Sequence, residues 1–377
     1  MPGLGDFDVV VLGAGSTGST VAYYLARDGF RVLVADPRGV AQGMTAYSVG
    51  IVRTYYTNED VARMASYSHE FFMNFGRELG VEVFTRAGLM VVGSSEEMRG
   101  IHDMLSRLGA RVRLMESHEV AEATGARLSE GEAAVYEEDA GYADTGLYTN
   151  TVMARARELG AQLVTGRAGL IVRDGRVEGA SVNGSLVRAE RYVLATGVWT
   201  QSVVPQLGLP IRNVVERVVR AEVGRGLPEV FDYTNNFYVR PEGSAGALMG
   251  LLYPPGDTWD DPESFSPLAE PPLEYAVDVL ERAARRMAFM EEARPMGGWQ
   301  GLYDVTPDWM PIVDEPLEGL VTCVGLSGHG FKLAPALALM VDEIIKLGRV
   351  RTFKDIFRLS RFTEGRPVRG ARGTAAF

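Results

Sequence analysis

The stretch Asp8-Val9-Val10-Val11-Leu12-Gly13-Ala14-Gly15-Ser16-Thr17-Gly18 decides the fold of the first part of the chain. Val9 to Leu12 is the short apolar, β-branched run that a buried parallel strand uses, and it leads directly into a G-x-G-x-x-G motif. In such a motif the first glycine permits a tight turn, the second lets a pyrophosphate approach the backbone, and the third lets the following helix pack on the strand. The stretch therefore predicts a dinucleotide-binding unit in which a helix N-terminus binds the phosphates.

The residues after the glycine motif have the pattern of the rest of that unit. They predict a helix from Ser19 to Arg27, a stop at Gly29 and a second strand from Arg31 to Ala35. Asp36 then stands at the spacing at which a carboxylate accepts hydrogen bonds from ribose hydroxyl groups. A glycine-rich turn in an unrelated α/β fold is the weaker alternative, because every neighbour that the motif needs is present.

The composition excludes several classes of function. The chain has 377 residues, 46% of them hydrophobic and 23% charged, which is typical of a globular protein long enough for two domains. Its net charge of −11 disfavours nucleic acid as a partner. A single cysteine and the lack of any His/Cys cluster with metal-ligand spacing indicate that redox chemistry requires a bound organic cofactor. Because the sequence shows no signal-like N-terminus and no apolar run of membrane length, we expect a cytoplasmic protein.

The pattern of helices and strands changes along the chain and indicates two domains. Helical periodicity from Asp60 to Leu79 gives way, from Val81, to short strands and a helix over 96–108. A helix over 141–160 and short strands over 162–182 lead to the apolar strand that ends in Ala195-Thr196-Gly197. Strand-like segments then occur at 237–240 and 247–253, followed by a helix over 273–290. The closing unit comprises 301–308, the strand 320–324, the turn 325–332 and a helix from Pro335 to Leu347.

Three separated motifs resemble the D-amino-acid oxidase superfamily, closest to its sarcosine oxidase, dimethylglycine dehydrogenase and dye-linked L-proline dehydrogenase branch. They are Gly13 to Gly18 with Asp36, Ala195 to Gly197, and Gly301 to Asp308 followed by Gly325 to Lys332. The resemblance implies an α/β (α+β) protein with a Rossmann-like FAD-binding domain and a β-sheet-rich substrate domain inserted in two segments. We expect residues 1–80, 146–204 and 301–377 in the first domain and 81–145 and 205–300 in the second. The family usually has Glu where this chain has Asp36, which we interpret as a variation.

FAD is the expected cofactor, partly because no second G-x-G-x-x-G follows a strand to provide a nicotinamide site. Electrons then come from the substrate itself. The segment from Gly43 to Tyr56 is small and polar and is typical of a loop over a cofactor. The residues expected at FAD are Gly13, Ala14, Gly15, Ser16, Thr17, Gly18, Asp36, Pro37, Arg38, Thr45, Ser48, Val49, Gly50, Ala195, Thr196, Gly197, Trp199, Gly301, Gly325, Ser327, Gly328, His329, Gly330, Phe331 and Lys332.

Arg53, Lys332 and Tyr303 are the expected catalytic residues. The resemblance implies that Arg53 and Lys332 bind the substrate carboxylate and that Tyr303 lines the substrate face. A planar two-pronged donor and a point charge suit a carboxylate in a partly dry pocket. A structural ion pair is the alternative role for Arg53. Tyr253 and Trp299 are weaker candidates for the pocket wall, and for His329 we expect a contribution from the backbone N–H alone.

Two departures from the sarcosine oxidases predict non-covalent FAD and a dehydrogenase. The resemblance places Gly301 where those enzymes have a flavin-linked cysteine, whereas Cys323 lies in an apolar strand and is expected to be packed. It also places Met249 where they have an oxygen-activating lysine, and no lysine precedes Lys332 in this chain. An arginine such as Arg240 replaces that lysine only if it reaches the ring. We therefore expect a dye, a quinone or a partner protein as the electron acceptor.

The sequence thus predicts oxidation of the C–N bond of a small amino acid, such as proline, sarcosine or dimethylglycine, by hydride transfer to FAD. One alternative is an FAD-bearing subunit of a larger electron-transfer complex, and another is a flavin-binding protein without turnover. A third is a dehydrogenase of glycerol-3-phosphate type, which requires more basic residues near Arg53 and Lys332. Both a homo-oligomer and a hetero-complex remain open.

Overall fold

The computed structural model describes residues 7–370. Strands β1 to β20 are Phe7–Leu12, Val32–Asp36, Ile51–Val52, Phe84–Arg86, Leu89–Ser94, Val112–Met115, Glu132–Glu137, Gly141–Ala143, Gln162–Thr165, Ala168–Arg173, Arg176–Val182, Ser185–Val187, Ala189–Leu194, Arg212–Glu222, Glu229–Asp232, Phe237–Glu242, Gly246–Gly250, Arg294–Val305, Ile312–Leu317 and Leu320–Val324. Helices α1 to α8 are Ser16–Arg27, Glu59–Leu79, Ser95–Arg107, Ser117–Thr124, Thr145–Glu158, Thr200–Val203, Leu273–Arg286 and Gly330–Leu347. No helix within residues 7–370 is both long and apolar enough to cross a membrane.

A six-stranded sheet contains the predicted first unit. Its order is β19-β20-β13-β1-β2-β9, and every pair except the antiparallel β19–β20 is parallel. Val9 and Val11 of β1 pack with residues of α1 and α8, while Val10 and Leu12 pack with the small β10–β11–β12 sheet on the other face. Both faces are covered, which explains why β1 is apolar throughout. The turns after β1 and β13 therefore lie side by side at one edge of this sheet.

An eight-stranded sheet forms the second large element. Its order is β18-β14-β17-β16-β15-β5-β7-β6, in which β5 and β15 pair in parallel and the other neighbours are antiparallel. One face packs on α7 through residues such as Val239, Met249 and Val279. The opposite face carries Phe231 and Tyr238, which belong to the same core as α1 and α8. This face consequently looks toward the six-stranded sheet.

The predicted architecture, a Rossmann-like unit with a β-sheet-rich partner, is confirmed, and two local predictions are wrong. Gly141–Ala143 is a strand and not the start of a helix; α5 begins after Asp144, whose side chain caps it by accepting from the Leu147 N–H at 2.8 Å. Helix α8 begins at Gly330, so Pro335 lies inside it and not at its first residue. The helix therefore starts inside the predicted glycine turn.

The division into two domains remains a proposal, and the strand pairing bears on its boundaries. Strand β18 is continuous from Arg294 to Val305 and therefore crosses the proposed boundary at residues 300 and 301. The short β3–β8–β4 sheet likewise joins Ile51–Val52 to strands of the segment 81–145. The two expected domains thus share backbone pairing at both places.

Candidate active site

The glycine motif forms a tight cradle at the start of α1. Gly13 has φ +105°, and a Cβ there would lie 2.3 Å from the carbonyl oxygen of Ala195. A Cβ on Gly18 would lie 2.0 Å from the carbonyl oxygen of Gly13, so neither position accepts a side chain. The cradle therefore holds β1, α1 and the turn after β13 in close contact.

The N-terminus of α1 leaves polar groups for an anion. Gly15 is the N-cap and offers no side-chain cap. The hydroxyl of Thr17 is buried, lines the adjoining cleft and has no hydrogen-bond partner among residues 7–370. A pyrophosphate accepts hydrogen bonds from N–H groups and hydroxyls such as these, and the positive end of the helix dipole favours its negative charge.

Asp36 shapes the next turn through its carboxylate. One oxygen accepts from the Ala14 N–H at 2.9 Å, and the other accepts from the N–H groups of Arg38 and Gly39 at 2.8 and 3.0 Å. The guanidinium of Arg38 stacks 4.2 Å from the Trp199 ring centroid. Asp36 therefore fixes the turn at the nucleotide end of the cleft, and its remaining acceptor capacity faces that cleft.

Most of the residues expected at the cofactor line one continuous cleft. Those that line it are Gly13, Gly15, Ser16, Thr17, Asp36, Pro37, Arg38, Thr45, Ser48, Val49, Ala195, Thr196, Gly197, Trp199, Gly301, Gly328, Gly330 and Phe331, together with the expected catalytic Tyr303. The expected residues that do not form part of this lining are Ala14, Gly18, Gly50, Gly325, Ser327, His329 and Lys332, and the expected catalytic Arg53. Gly50 illustrates the difference, because a Cβ there would meet the carbonyl oxygen of Ala143 at 2.2 Å and its role is close backbone packing.

Arg53 lies in a buried cluster of aromatic and cationic groups. Only 5% of the residue is exposed, and its Nε and Nη1 have no hydrogen-bond partner within residues 7–370. The guanidinium stacks 4.4 Å from the ring centroid of Tyr56 and 5.1 Å from that of Phe231. The structure shows no ion pair for Arg53 with any described carboxylate, which argues against the structural alternative.

Lys332 and His329 belong to the same cluster. The Lys332 Nζ donates to the Gly328 carbonyl at 3.0 Å, and burial together with Arg53 lowers the pKa of Lys332 to about 7, which Glu229 opposes. The Nδ1 of His329 bonds the Tyr56 hydroxyl at 3.0 Å. Burial, Lys332 and Arg53 hold the pKa of His329 well below its usual value. The His329 side chain thus packs in this cluster, and the expected role of its backbone N–H at the flavin stays a prediction.

Two buried carboxyl groups flank this cluster, and neither was identified from the sequence. Glu137 accepts from the N–H and the hydroxyl of Thr54, both at 2.7 Å, and from the Tyr55 N–H at 3.0 Å. Glu229 is fully buried without a hydrogen-bond partner among the described residues. Burial raises the pKa of Glu229 well above its usual range, although Arg240, Arg53 and Lys332 oppose this. Glu137 therefore positions the backbone next to Arg53, and Glu229 adds a second buried carboxyl group, whose raised pKa favours its protonated form.

The model of the family described as FAD dependent oxidoreductase matches residues 8–344 of this chain. The chain belongs to that family. The peroxisomal sarcosine oxidase of Homo sapiens is 24% identical over 94% of this chain and 96% of its own length. The N-methyl-L-tryptophan oxidase of Salmonella typhi is 24% identical over 95% and 100%. The solved structure of L-proline dehydrogenase from P. horikoshii has a TM-score of 0.85 and 24% identity, covering 96% of this chain and 98% of that one.

Membership of this FAD-dependent family confirms the predicted cofactor and oxidoreductase class. The residues present fit FAD, since the cradle, the helix N-terminus and the Asp36 turn supply a phosphate site and a nucleotide site in sequence along one cleft. The cleft continues past them to Tyr303, whose ring lies against Gly328; a Cβ on that glycine would be 2.7 Å from it. With the phosphates at the cradle, this end of the cleft would be left for the flavin ring.

The expected place of the oxygen-activating lysine is wrong in its register. Met249 is fully buried against α7, on the face of the eight-stranded sheet that points away from the cleft. Its neighbour Gly250 faces the cleft-lining Tyr238, and a Cβ there would lie 2.6 Å from that ring. Because successive side chains on a strand point to opposite faces of the sheet, an alignment error of one residue is enough to assign Met249 to the cleft face. The arginine considered instead, Arg240, stacks 3.7 Å from the Tyr142 ring centroid and is not part of the cleft wall.

The remaining candidates have separate positions. Cys323 lies in β20 with 0% exposure, and burial raises its pKa far above the ordinary value. Tyr253 is 44% exposed and does not form part of the cleft wall, and the Trp299 indole donates to the Tyr47 carbonyl at 2.8 Å.

The sequence reasoning also missed Glu216, a buried carboxyl group in the cleft wall. The available signal was the charged pair Glu216-Arg217 inside the otherwise apolar run from Val214 to Val219.

Proposed function

We propose that the protein is an FAD-dependent dehydrogenase that oxidises the C–N bond of a small amino acid with a secondary or tertiary amine. Proline, sarcosine and dimethylglycine are the proposed substrates. The names of similar proteins support this proposal, since they act on sarcosine, N-methyl-L-tryptophan and L-proline. Bound FAD supplies the acceptor for a hydride from the carbon next to the nitrogen.

The buried guanidinium of Arg53 is the observation that carries the proposal. A buried cation whose donors lack partners is costly unless a ligand satisfies it. A substrate carboxylate provides the missing acceptors for Nε and Nη1, and Lys332 adds a second positive charge beside them. Tyr56 and Phe231 cover the guanidinium and keep water from it. The site therefore selects amino acids over the corresponding amines.

Lys332 couples carboxylate binding to a proton. Because the pKa of Lys332 is about 7 in the free site, the ammonium is only partly charged at neutral pH. A carboxylate beside it favours the charged form and raises that pKa, so binding takes up a proton. Affinity for the substrate consequently weakens as the pH rises above 7.

The choice of a dehydrogenase rests on the positions of the three lysines. Lys346 pairs with Asp28 and Asp342, and Lys354 pairs with Asp60, so Lys332 alone lies near the cleft. Lys332 is engaged with the carboxylate in this proposal and is not available at the opposite flavin face. We therefore propose a dye, a quinone or a partner protein as acceptor, and non-covalent FAD because the single Cys323 lies in the core.

An anaerobic screen of flavin bleaching tests the substrate class. Proline, sarcosine, dimethylglycine and glycerol 3-phosphate are added separately to the purified holoenzyme, with pyrrolidine as the control that lacks the carboxylate of proline. We expect an amino acid to bleach the flavin and pyrrolidine to do so poorly. Bleaching by glycerol 3-phosphate alone would favour the polyol alternative, and bleaching only after a co-purifying subunit is added would favour the complex. No bleaching by any of these compounds would contradict the proposal.

A further inference from the structure

Glu216 is a buried carboxyl group on the wall of the cofactor cleft. It lies on β14 directly opposite Gly301 of β18, and both residues line the cleft. The residue is only 5% exposed, and neither carboxyl oxygen has a hydrogen-bond partner within residues 7–370. Since burial of an unpaired polar group is costly, such a group in a cleft wall indicates a ligand that satisfies it.

The surroundings of Glu216 favour the protonated form of its carboxyl group. It faces Tyr238 from β16 and Tyr303 from β18, whereas its neighbour Arg217 lies with Tyr275 on the α7 side of the sheet and is paired with Asp257 at 2.6 Å. Burial raises the pKa of Glu216 to about 8, although Arg217 opposes this. The three tyrosines have raised pKa values and stay neutral over the same range. Glu216 is therefore the group in this surrounding that changes charge just above neutral pH.

The place of Glu216 along the cleft identifies what it faces. The α1 cradle and the Asp36 turn occupy the phosphate and nucleotide ends, whereas Glu216, Tyr238 and Tyr303 lie where the eight-stranded sheet closes the cleft. We propose that Glu216 presents a protonated carboxyl group to the ring system of bound FAD and thereby sets how readily the cofactor accepts electrons. The proposal rests on FAD binding and not on the identity of the substrate.

The physical effect follows from the sign of the charge. Taking up a hydride adds one negative charge to the ring, and a neutral acid stabilises that charge by donating its proton in a hydrogen bond. An ionised Glu216 instead repels the added charge. The reduction potential of the bound flavin therefore falls more steeply with pH once Glu216 loses its proton.

Two other groups near the cleft titrate at lower pH. Burial raises the pKa of Asp304 to about 6, and that of Lys332 is about 7. Their effects overlap with that of Glu216, so a substitution has to separate them. Glu216→Gln keeps the shape of the protonated acid and removes its titration. Glu222→Gln is the matched control, because Glu222 is an exposed carboxylate on the same strand.

The test is a pH titration of the holoenzyme without substrate. Visible absorption spectra and flavin reduction potentials are recorded from pH 6 to pH 10 for the wild type, Glu216→Gln and Glu222→Gln. We expect a spectral transition near pH 8 and a steeper fall in potential above it in the wild type and in Glu222→Gln. Glu216→Gln should keep the low-pH spectrum through that range, while any titration of the flavin itself remains.

Two results would overturn the proposal. One is a wild type without a transition near pH 8, and the other is a Glu216→Gln holoenzyme that retains it. If the Gln variant does not hold FAD, Glu216→Asp keeps a titratable group one methylene shorter, and its transition must shift; an unchanged midpoint refutes the assignment. Because no substrate is present, these outcomes are independent of whether the enzyme oxidises an amino acid.

Discussion

Replacing Glu216 with Gln should change how the stability of the apoprotein depends on pH. Glu216 binds a proton more tightly in the folded state, where burial raises its pKa to about 8, than in the unfolded chain, where its ordinary value is 4.5. Between these values the folded state holds more protons than the unfolded state. The free energy of unfolding therefore falls as the pH rises, and the Gln variant lacks this loss.

The size of the effect follows from those two pKa values. Each pH unit between 4.5 and about 8 corresponds to about 1.4 kcal/mol, so the full interval amounts to an upper limit of about 5 kcal/mol. The contribution of the carboxyl is complete below pH 4.5 and lost above pH 8. The buried Gln amide adds a cost that does not depend on pH and shifts the whole curve by a constant.

Urea unfolding of the apoproteins at pH 5, 7 and 9 measures this difference. The free energy of unfolding of the wild type minus that of Glu216→Gln should decrease steadily across the series, whereas the exposed control Glu222→Gln should run parallel to the wild type. Comparing the variants at each pH removes the contribution of all other titrating groups. Parallel curves for the wild type and Glu216→Gln would show that the carboxyl is hydrated or paired, and the reasoning would fail.

Four further predictions concern cofactor and substrate. Arg53→Met should raise KM for the amino acid by roughly 30-fold, about 2 kcal/mol, while the rate with the decarboxylated amine stays within a few-fold; an unchanged KM would exclude the carboxylate contact. Gly18→Ala should abolish FAD retention, because its Cβ would lie 2.0 Å from the Gly13 carbonyl oxygen, whereas Gly100→Ala, with open space around it, should retain the yellow colour. Acid precipitation should release FAD into the supernatant, and a yellow pellet would indicate a covalent link. Substrate-reduced enzyme should be reoxidised faster by a dye than by oxygen, and equal rates would identify an oxidase.

Local patterns were sufficient to predict the cofactor half of the molecule. From β1 to β2 the strand, the glycine turn, the helix and Asp36 depend on neighbours within about 30 residues, and the structure has this strand, turn, helix and strand in that order. Gly13 and Gly18 were informative because the close approach of backbone carbonyl oxygens leaves no room for a side chain there. A requirement for glycine is visible in the residue type itself, so it can be read from a single sequence.

Long-range packing determined what the sequence could not predict. The face on which Met249 lies depends on the pairing of β17 with β14 and β16, and a register error of one residue is invisible without those partners. The Arg53 cluster takes Lys332 from α8 and Glu229 from β15, which are far apart in the chain. Gly141–Ala143 is a strand because β3 and β4 pair with it, although Gly141 and Ala143 themselves disfavour strands.

Glu137 has a consequence for anyone who recombines this protein with a relative. Its carboxylate sits on the eight-stranded sheet, yet the groups it accepts from, at Thr54 and Tyr55, belong to the segment that leads from the cofactor loop into α2. A chimera that exchanges residues 81–145 without preserving an acceptor at position 137 would leave three buried donors near Arg53 without a hydrogen-bond acceptor. Segments of this enzyme can therefore be exchanged only if residue 137 and residues 53–55 are taken from the same parent protein.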